Sequence, residues 1–474
     1  MSLKLYNTLT REKEEFEPLE DQVKIYTCGQ TIYDDLHVGN ARAYAVWDIL
    51  RRYLEWKGYD VFHIQNITDV GHLTDDADQG EDKVEKRANE KGMEPMVLVE
   101  DQIKRYYEDM DALNIKRHHI NPRATCHVPE MIDLNKKILE NGYAYESNGN
   151  LYFDVKKYAE DYDYGKMGGI DLDELEEGSR VGKDPNKKNQ YDFALWINAD
   201  PSHIMKWNSP WSKGYPGWHL ECSTMSMKYL GEEFDIHGGG KDHIFPHHPN
   251  ERAQSKAATG KDMAQFWLHS DFVTIDGEKM SKSKGNFYTA REMIEKFSGE
   301  VLRMFYATTH YRKEIDFNED ALENAQNNLD RLYNTIRLVD ESEGGGEEDL
   351  TDITEGYRNK FEEAMDDDLN TAKAVNILVN YSKEINKSLN NKKEILEEAK
   401  KTLTELGKVL GIKLELKKET AEINEEMVEK IIEVRNDLRE KEEYELSDKL
   451  RNALSITGIK LEDKGNKTKW KLKN

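Results

Sequence analysis

The first third of the chain alternates between segments with strand-like and helix-like hydrophobic patterns. Residues 23–27 and 61–67 are short apolar stretches typical of strands, and between them apolar side chains recur at helical spacing from Val46 to Leu54. A strand, a helix and a second strand in this order form a βαβ unit, whose two strands run parallel. We therefore predict an α/β fold built on a parallel sheet.

The pattern changes at several points, which divide the chain into predicted domains. Residues 119–204 are mixed and polar, so we interpret them as an insertion into the sheet domain, whose pattern resumes near Gly217. A Gly/Glu tract at 342–347 interrupts an otherwise helical region, and a second linker is expected at 417–424. The predicted domains are a sheet domain at 1–118 and 205–270, an insertion at 119–204, a connecting region at 271–317, a helical bundle at 318–415 and a small module at 425–474.

The composition indicates a multidomain protein of a reducing compartment. The chain has 474 residues, enough for roughly two to four domains. No apolar run approaches the roughly 20 residues of a membrane helix, and residues 1–16 lack the apolar core of a signal peptide. The three cysteines are too few for a disulfide scaffold. We expect a cytoplasmic protein with no membrane partner.

The net charge of −25 is unusual for a protein that binds nucleic acid. Net charge affects solubility and association, however, and says little about specificity. The segment 464–473 is locally basic, so a nucleic-acid contact there remains compatible with the sequence.

His37, Gly39 and Asn40 form a candidate nucleotide site just after the first strand. A turn from a strand into a helix directs backbone N–H groups and the positive end of the helix dipole at one point, which favours an anion. His37 and Asn40 can donate hydrogen bonds to a phosphate, and Gly39 allows close approach of the backbone. The alternative is a capped helix with a surface histidine.

A second candidate phosphate site is the string Lys279-Met280-Ser281-Lys282-Ser283. Lys279 and Lys282 lie in a predicted loop, where two ammonium groups can stabilise the charge that builds on a leaving pyrophosphate. The alternative is a solvated basic loop.

Gly238, Gly239 and Gly240 follow a predicted strand that ends near His237. Glycines at a strand end permit close approach of a flat ligand, and Asp242 can bind a ribose hydroxyl. These four residues are therefore candidate ATP contacts, the alternative being a plain loop.

Cys28, Cys222, His247 and Glu251 are candidate metal ligands. His247 and Glu251 are four residues apart, so a helix starting near Pro249 would set both on one face. Two thiolates, an imidazole and a carboxylate suit zinc. Spacing alone leaves the alternative open that the cysteines are simply buried and that the histidines contact nucleotide.

The strings around these residues resemble cysteinyl-tRNA synthetases, a family of class I aminoacyl-tRNA synthetases, over nearly the whole chain. The similar segments are 27–33, 66–70, 217–222, 234–251, 279–283 and 458–470. The resemblance implies a Rossmann-like catalytic domain with an inserted connective domain, a KMSKS loop with a stem-contact region, an α-helical bundle and an anticodon-binding module. It also implies activation of L-cysteine by ATP with Mg²⁺, and transfer of the product to tRNA(Cys).

The resemblance further assigns residue roles. It implies one Zn²⁺ bound by Cys28, Cys222, His247 and Glu251, with Lys282 as the main ATP contact. Trp218 would form a wall of the amino-acid pocket and Thr68 would contact the substrate amino group. The residue at position 40 is usually histidine in class I synthetases, so Asn40 is a departure that keeps a donor but loses a titratable group. The implied anticodon contacts are Arg439, Tyr444, Asp448, Arg451, Asp463 and Trp470, each of which has a surface charge or a small-core aromatic as its alternative.

Two other functions fit parts of this pattern. A cysteine ligase acting on a small amine acceptor would share the catalytic core but lack the last module. A non-catalytic, zinc-stabilised RNA-binding relative is supported only by Asn40, and Lys279 and Lys282 argue against it.

Overall fold

The computed structural model describes residues 2–70, 82–169, 184–280, 285–346, 350–416, 425–441, 443–456, 459–464 and 467–472. They belong to two compact units, Met1–Glu415 and Leu416–Asn474. The predicted linker at 417–424 lies outside the described residues. No described helix is both long enough and apolar enough to cross a membrane.

Within these ranges, four parallel strands form the central sheet, which confirms the predicted α/β fold. They lie in the order Ala264–Ser270, Phe234–Gly240, Gln22–Thr27 and Asp60–Gln65. The helix Val38–Trp56 connects the last two strands and packs its apolar face on the sheet. The three glycines at 238–240 belong to a strand, which continues beyond its expected end near His237.

The order of the strands changes direction at Gln22–Thr27. The chain continues to Asp60–Gln65 on one side of this strand, and Phe234–Gly240 lies on its other side. Such a switch point opens a crevice at the carboxyl ends of the strands, where ligands bind in open α/β sheets. Cys28 is the first residue after Gln22–Thr27 and so lies at this crevice.

The segment between Asp60–Gln65 and Phe234–Gly240 carries a second, antiparallel sheet. Its described strands lie in the order Ala144–Ser147, Asn150–Phe153, Phe193–Asn198, Lys213–Pro216 and Trp207–Asn208. The described helices of the segment are Lys83–Lys91, Pro95–Ala112, Val128–Glu140, Val155–Asp161 and Trp218–Leu230, with a 3₁₀ turn at Ala124–Cys126.

Smaller elements complete the first unit. They are the hairpin Lys4–Asn7 and Glu12–Glu15, the 3₁₀ turn Lys241–Ile244, the small sheet of Glu278–Lys279, Val273–Ile275 and Ile315–Phe317, and the helices His247–Thr259, Ala290–Phe297 and Gly299–Ala307. The predicted helical region contains the helices Glu319–Glu341, Thr351–Asp366, Thr371–Lys387 and Lys393–Val409.

The helical region packs directly on the helix Val38–Trp56 of the sheet domain. The Tyr53 hydroxyl donates to Asp366 at 2.6 Å, and Trp56 Nε1 donates to Glu405 at 2.6 Å. Apolar side chains of the helical region and of the sheet domain belong to one continuous core. The bundle therefore supports the sheet as part of the same unit.

The second unit has its own small core. It consists of the helices Glu425–Glu440 and Tyr444–Ile456 and the hairpin Ile459–Lys464 and Lys467–Leu472. Its buried apolar residues are Val428, Ile432, Leu454, Ile459 and Leu461.

Gly217 determines how closely the antiparallel sheet meets the helix Trp218–Leu230. A Cβ atom at this position would lie 2.0 Å from the carbonyl oxygen of Ala194, in the strand Phe193–Asn198. No real side chain approaches a backbone oxygen this closely, so the contact requires glycine. It positions the helix that carries Cys222.

We expect Gly217→Ala to lower the thermal unfolding midpoint, because the added methyl group must displace the Ala194 backbone, at a cost of about 1–3 kcal/mol. The matched control is Gly356→Ala in the helix Thr351–Asp366, where the same methyl group meets nothing within 4 Å. This control should be stabilising by roughly 0.5–1 kcal/mol, the usual gain of alanine over glycine in a helix. Differential scanning calorimetry measures both, and equal midpoints for the two variants would contradict the packing argument.

Candidate active site and metal centre

A cavity of about 540 Å³ opens at the carboxyl ends of the central strands. It brings together candidate residues that are far apart in sequence. Those that line it are Cys28, His37, Gly39, Asn40, Thr68, Trp218, Cys222, Gly240, Asp242 and His247. The nucleotide and metal candidates therefore share one cavity.

His37 is the N-cap of the helix Val38–Trp56, and its ring orientation is set by the backbone. Its Nδ1 atom accepts hydrogen bonds from the N–H groups of Gly39 and Asn40, at 3.1 and 3.2 Å. Because a backbone N–H can only donate, Nδ1 carries a lone pair and the ring proton of neutral His37 is on Nε2. The two N–H groups proposed for an anion are thus used by the cap, and His37 itself acts as a donor through Nε2.

The three glycines at 238–240 occupy different surroundings. A Cβ at Gly238 would lie 3.1 Å from Trp47, whereas a Cβ at Gly239 would lie 2.5 Å from His243 and 2.8 Å from His248. Gly240 lines the cavity close to Asp242. Close packing against aromatic rings therefore accounts for the first two glycines, and nucleotide approach is compatible with the third.

The proposed metal ligands form a compact, buried cluster beside the cavity. Cys28 Sγ lies 3.9 Å from Cys222 Sγ and 3.8 Å from Glu251 Oε1, and His247 Nε2 lies 3.0 Å from that same oxygen. Tetrahedral zinc with bonds of about 2.3 Å to sulfur separates its ligands by about 3.8 Å. All four residues are at most 6% exposed. The donor set and its dimensions therefore fit one zinc ion.

The electrostatics of the cluster favour a cation. Burial alone would raise the pKa of Glu251, but His237 and His247 hold the pKa of this carboxyl well below its usual value. A hydrogen bond from Cys28 lowers the pKa of Cys222. Burial would lower the pKa of His247, yet Glu251 and Cys222 raise it to about 10. The carboxylate of Glu251 is thus an anionic member of the buried cluster.

A second, overlapping set of possible ligands occurs among the described residues. It consists of Cys28, His237, His248 and Glu251. Cys28, Cys222 and His247 line the cavity, whereas His237 and His248 are not among its lining residues. Three residues of the first set line the cavity, against one of the second, so the first set is better placed to hold a metal that faces a ligand there.

A layer of histidines surrounds the cluster, and sequence reasoning did not identify it. His237 Nε2 lies 2.8 Å from Glu251 Oε2, and His219 Nδ1 lies 2.8 Å from His247 Nδ1. Such contacts orient ligands and fix their tautomers. The available signal was composition, because six of the 14 histidines of the chain lie between residues 219 and 269.

Thr68 connects the two cysteine-bearing segments. Its hydroxyl donates to Glu221 at 2.8 Å and accepts from Asn66 at 3.0 Å, and Asn66 accepts from the N–H of Gly29 at 2.7 Å. Gly29 and Glu221 are the chain neighbours of the two cysteines. These hydrogen bonds therefore fix the positions of the Cys28 and Cys222 thiols relative to Thr68 in the cavity wall.

Trp218 forms another wall of the cavity. Its ring stacks on that of His247, with centroids 4.3 Å apart. The helix His247–Thr259 begins two residues before the expected start near Pro249, and it sets His247 and Glu251 on one face as predicted. The exposed third cysteine, Cys126, lies in the turn Ala124–Cys126.

Two groups of predicted residues lie at the limits of the described structure. Lys279 ends the strand Glu278–Lys279 and Met280 lines the cavity, but Lys282 lies outside the described residues. In the second unit, Tyr444, Asp448 and Arg451 are exposed and fall on one face of the helix Tyr444–Ile456.

The remaining C-terminal candidates differ in their surroundings. Arg439 is exposed, and Trp470 is partly buried against the small core of the second unit. The side chain of Asp463 lies outside the described structure.

Comparison with known proteins identifies two family domains. The model of the class I (C) tRNA synthetase catalytic domain matches residues 15–327, and the DALR domain matches residues 360–415. The second match lies in the helical region and precedes the C-terminal unit.

Solved structures share the fold at low sequence identity. A methionyl-tRNA synthetase of Mycobacterium tuberculosis superposes with a TM-score of 0.60 at 15% identity, covering 82% of this chain and 90% of the other. A putative arginyl-tRNA synthetase of Campylobacter jejuni superposes with a TM-score of 0.55 at 12% identity, covering 84% and 94%.

Curated relatives match over their full length. The cysteine–tRNA ligase of Thermococcus gammatolerans is 45% identical over 99% of both chains. That of Pyrococcus horikoshii is 46% identical over 99% of both, and that of Desulfitobacterium hafniense is 44% identical over 100% of both. With the catalytic-domain match covering more than half of the residues, the chain belongs to the cysteine–tRNA ligase family of class I aminoacyl-tRNA synthetases.

Proposed function

We propose that this protein activates L-cysteine with ATP to cysteinyl-adenylate and transfers the cysteinyl group to the 3′ end of tRNA(Cys). The observation that carries the proposal is the buried Cys28, Cys222, His247 and Glu251 cluster, which borders the same cavity as the candidate nucleotide residues. A site of this kind can hold a thiol and a nucleotide side by side. A tRNA-charging role also implies a cytoplasmic protein.

The proposed cofactor is one Zn²⁺ held by these four residues. When bound, it would coordinate the substrate sulfur as thiolate, which a serine hydroxyl replaces poorly. This matters because cysteine and serine are almost the same size, and an apolar pocket distinguishes such ligands by only about 1–3 kcal/mol. Trp218, stacked on His247, would close the small pocket around the side chain.

The protein's own residues would then position the amino acid. Thr68 lines the cavity, and its hydroxyl donates to Glu221 and accepts from Asn66, which leaves one lone pair on its oxygen to accept from the substrate amino group. Glu251 would bind zinc through Oε1, while His237 Nε2 lies 2.8 Å from its Oε2. This second contact would determine whether Glu251 remains a zinc ligand when cysteine binds.

Adenylate formation needs charge stabilisation more than covalent chemistry. ATP with Mg²⁺ would lie along His37, Gly39, Asn40 and Gly240, with Asp242 on the ribose. His37 would donate from Nε2 to phosphate, since its Nδ1 is used by the cap. Lys279 and Lys282 would stabilise the leaving pyrophosphate.

We propose that the helical region and the C-terminal unit bind tRNA. The DALR match in the helical region and the exposed face of Tyr444, Asp448 and Arg451 support this role. Arg439, Asp463 and Trp470 complete the proposed anticodon contacts. The proposed division is catalytic domain at 1–118 and 205–270, connective insertion at 119–204, KMSKS loop and stem-contact region at 271–317, bundle at 318–415 and anticodon module at 425–474.

A cysteine ligase acting on a small amine acceptor is the second candidate. It would use the same cavity and the same cluster, so the active site alone does not distinguish the two. The presence of the separate C-terminal unit favours tRNA, because a small acceptor has no need for it.

Charging of a tRNA pool tests the proposal directly. With labelled cysteine, acid-precipitable product should form with the wild-type protein and be absent with labelled serine. Pyrophosphate exchange driven by cysteine without charging of tRNA would indicate the small-amine ligase instead. Activity in neither assay would indicate a non-catalytic relative.

Cys222→Ser should reduce both zinc content and cysteine-dependent pyrophosphate exchange. Loss of a ligand should exceed the roughly 10–100-fold effect typical of changes to groups that only orient ligands. Cys126→Ser is the matched control, because Cys126 is exposed and does not belong to the cluster. Zinc is measured by atomic absorption, and equal zinc content in both variants would rule out Cys222 as a ligand.

Lys282→Ala should slow pyrophosphate exchange by about 10²–10³-fold, the usual loss on removing one group that stabilises transition-state charge. Zinc content should not change. Lys296→Ala serves as the control, because Lys296 is exposed and paired with Glu319. Equal rates for both variants would argue against the assigned role of Lys282.

Tyr444→Ala should raise the KM for tRNA while pyrophosphate exchange stays at the wild-type rate, because loss of one stacked base costs about 1–3 kcal/mol. The control is Lys449→Ala, which removes an exposed side chain paired with Glu445 on another face of the same helix. Steady-state charging kinetics measure both, and an unchanged KM for Tyr444→Ala would exclude base stacking by this residue.

A further inference from the structure

A chain of hydrogen bonds runs from Cys28 through two buried histidines to the N-terminal segment. His248 Nε2 lies 3.4 Å from Cys28 Sγ, and His248 Nδ1 lies 2.9 Å from His269 Nε2. His269 Nδ1 lies 2.8 Å from the hydroxyl oxygen of Thr8. His248 and His269 are 0% and 5% exposed. Neither ring lines the substrate cavity, so neither has a role in the steps described above.

The atoms of this chain allow only one direction of donation when Cys28 is a metal-bound thiolate. Such a sulfur can accept but not donate, so the hydrogen between it and His248 must be on Nε2. A neutral His248 then has a lone pair on Nδ1, and His269 must donate from Nε2. His269 Nδ1 in turn must accept from the Thr8 hydroxyl.

Both rings are buried, and each is held at both of its nitrogens. The hydrogen bond between the two rings has room for one hydrogen only, so the two nitrogens that share it cannot both be protonated. With both rings neutral, the Cys28 thiolate therefore determines the tautomer of His248 and, through it, that of His269, and the Thr8 hydroxyl donates to the last nitrogen.

Two further contacts keep the chain in place. The N–H of Thr8 donates to the carbonyl oxygen of Trp267 at 2.9 Å, which fixes the residue against the strand that carries His269. Gly239 provides the space for the His248 ring, because a Cβ there would lie 2.8 Å from Nε2. The donor to Cys28 is thus held from both sides.

We propose that His248 is a positioning residue for the metal centre, which donates from Nε2 to the Cys28 thiolate and is held in that tautomer by its hydrogen bond to His269, whose other nitrogen accepts from Thr8. This inference rests on the proposed zinc site. The N–H···S bond stabilises the negative charge on a largely buried sulfur. It keeps Cys28 bound as thiolate while moderating its electron donation, which leaves the metal able to accept a further thiolate from the substrate.

The test uses the full-length protein loaded with Co²⁺ in place of zinc, because sulfur-to-cobalt charge transfer reports on the sulfur directly. In His248→Leu the sulfur loses its donor, so the charge-transfer band should move to longer wavelength. Metal affinity should fall by roughly 10–100-fold, as is usual when an orienting partner of a ligand is removed. In His248→Gln the side-chain amide can supply an N–H near the place of Nε2, and both properties should stay close to wild type.

A second pair of variants acts at the far end of the chain, where folding is less at risk. Thr8→Val removes the hydroxyl that donates to His269 Nδ1 and should shift the cobalt band in the same direction by a smaller amount. Thr8→Ser keeps the hydroxyl and should leave the band unchanged. If His248→Leu does not fold, this pair decides the question.

Each other outcome has a separate meaning. If the charge-transfer band of His248→Leu or of Thr8→Val lies at the wild-type wavelength, the inference is overturned but the zinc site is not. Loss of all metal binding in both His248→Leu and His248→Gln makes His248 a ligand, as in the overlapping set, and also overturns it. Absence of the band in the wild-type protein means that the cysteines hold no metal, in which case the proposed zinc site fails first.

Discussion

The first unit is arranged around the fully buried carboxylate of Glu251. A buried charge is tolerated only when it is paired and hydrogen-bonded, and breaking such a pair is strongly destabilising. Here the partners are imidazoles, His237 on one oxygen and His247 on the other. Histidine is a compact partner that can give up its proton to a metal, whereas a lysine or arginine would remain a permanent cation. The negative charge of Glu251 is therefore balanced by groups that still allow a divalent cation to bind.

Much of the surrounding sequence follows from this arrangement. His237 reaches Glu251 from a central strand and stacks on Trp267 of the neighbouring strand. Gly239 leaves room for His243 and His248, which could not approach any larger residue. Glycine in this strand thus reflects the crowding of aromatic rings at the switch point of the sheet. The strand that carries His237 and Gly239 thus borders the crevice and also provides the packing that supports it.

Some of this organisation was readable from the sequence, and the reasons for the rest are physical. The central sheet has regular periodicity, and His247 and Glu251 are a helical turn apart, so their shared face could be predicted. Cys28 and Cys222 lie on different elements, and their pairing came from resemblance rather than from spacing. The contact between Thr8 and His269 joins segments with no local pattern, because hydrogen bonds between distant loops leave no periodic signal. The short strands of the insertion are likewise too irregular to be recognised by alternation.

The closeness of the two thiols has a consequence for redox behaviour. Cys28 Sγ and Cys222 Sγ are 3.9 Å apart, a separation suited to two ligands of one ion. In a disulfide this distance is about 2.05 Å, so once an oxidant had attacked one of the two sulfurs, the other would be close enough to react with it. An ion bound between the sulfurs would occupy the electrons that oxidation uses. Amino-acid recognition and protection of the protein from oxidative inactivation would then depend on the same bound ion.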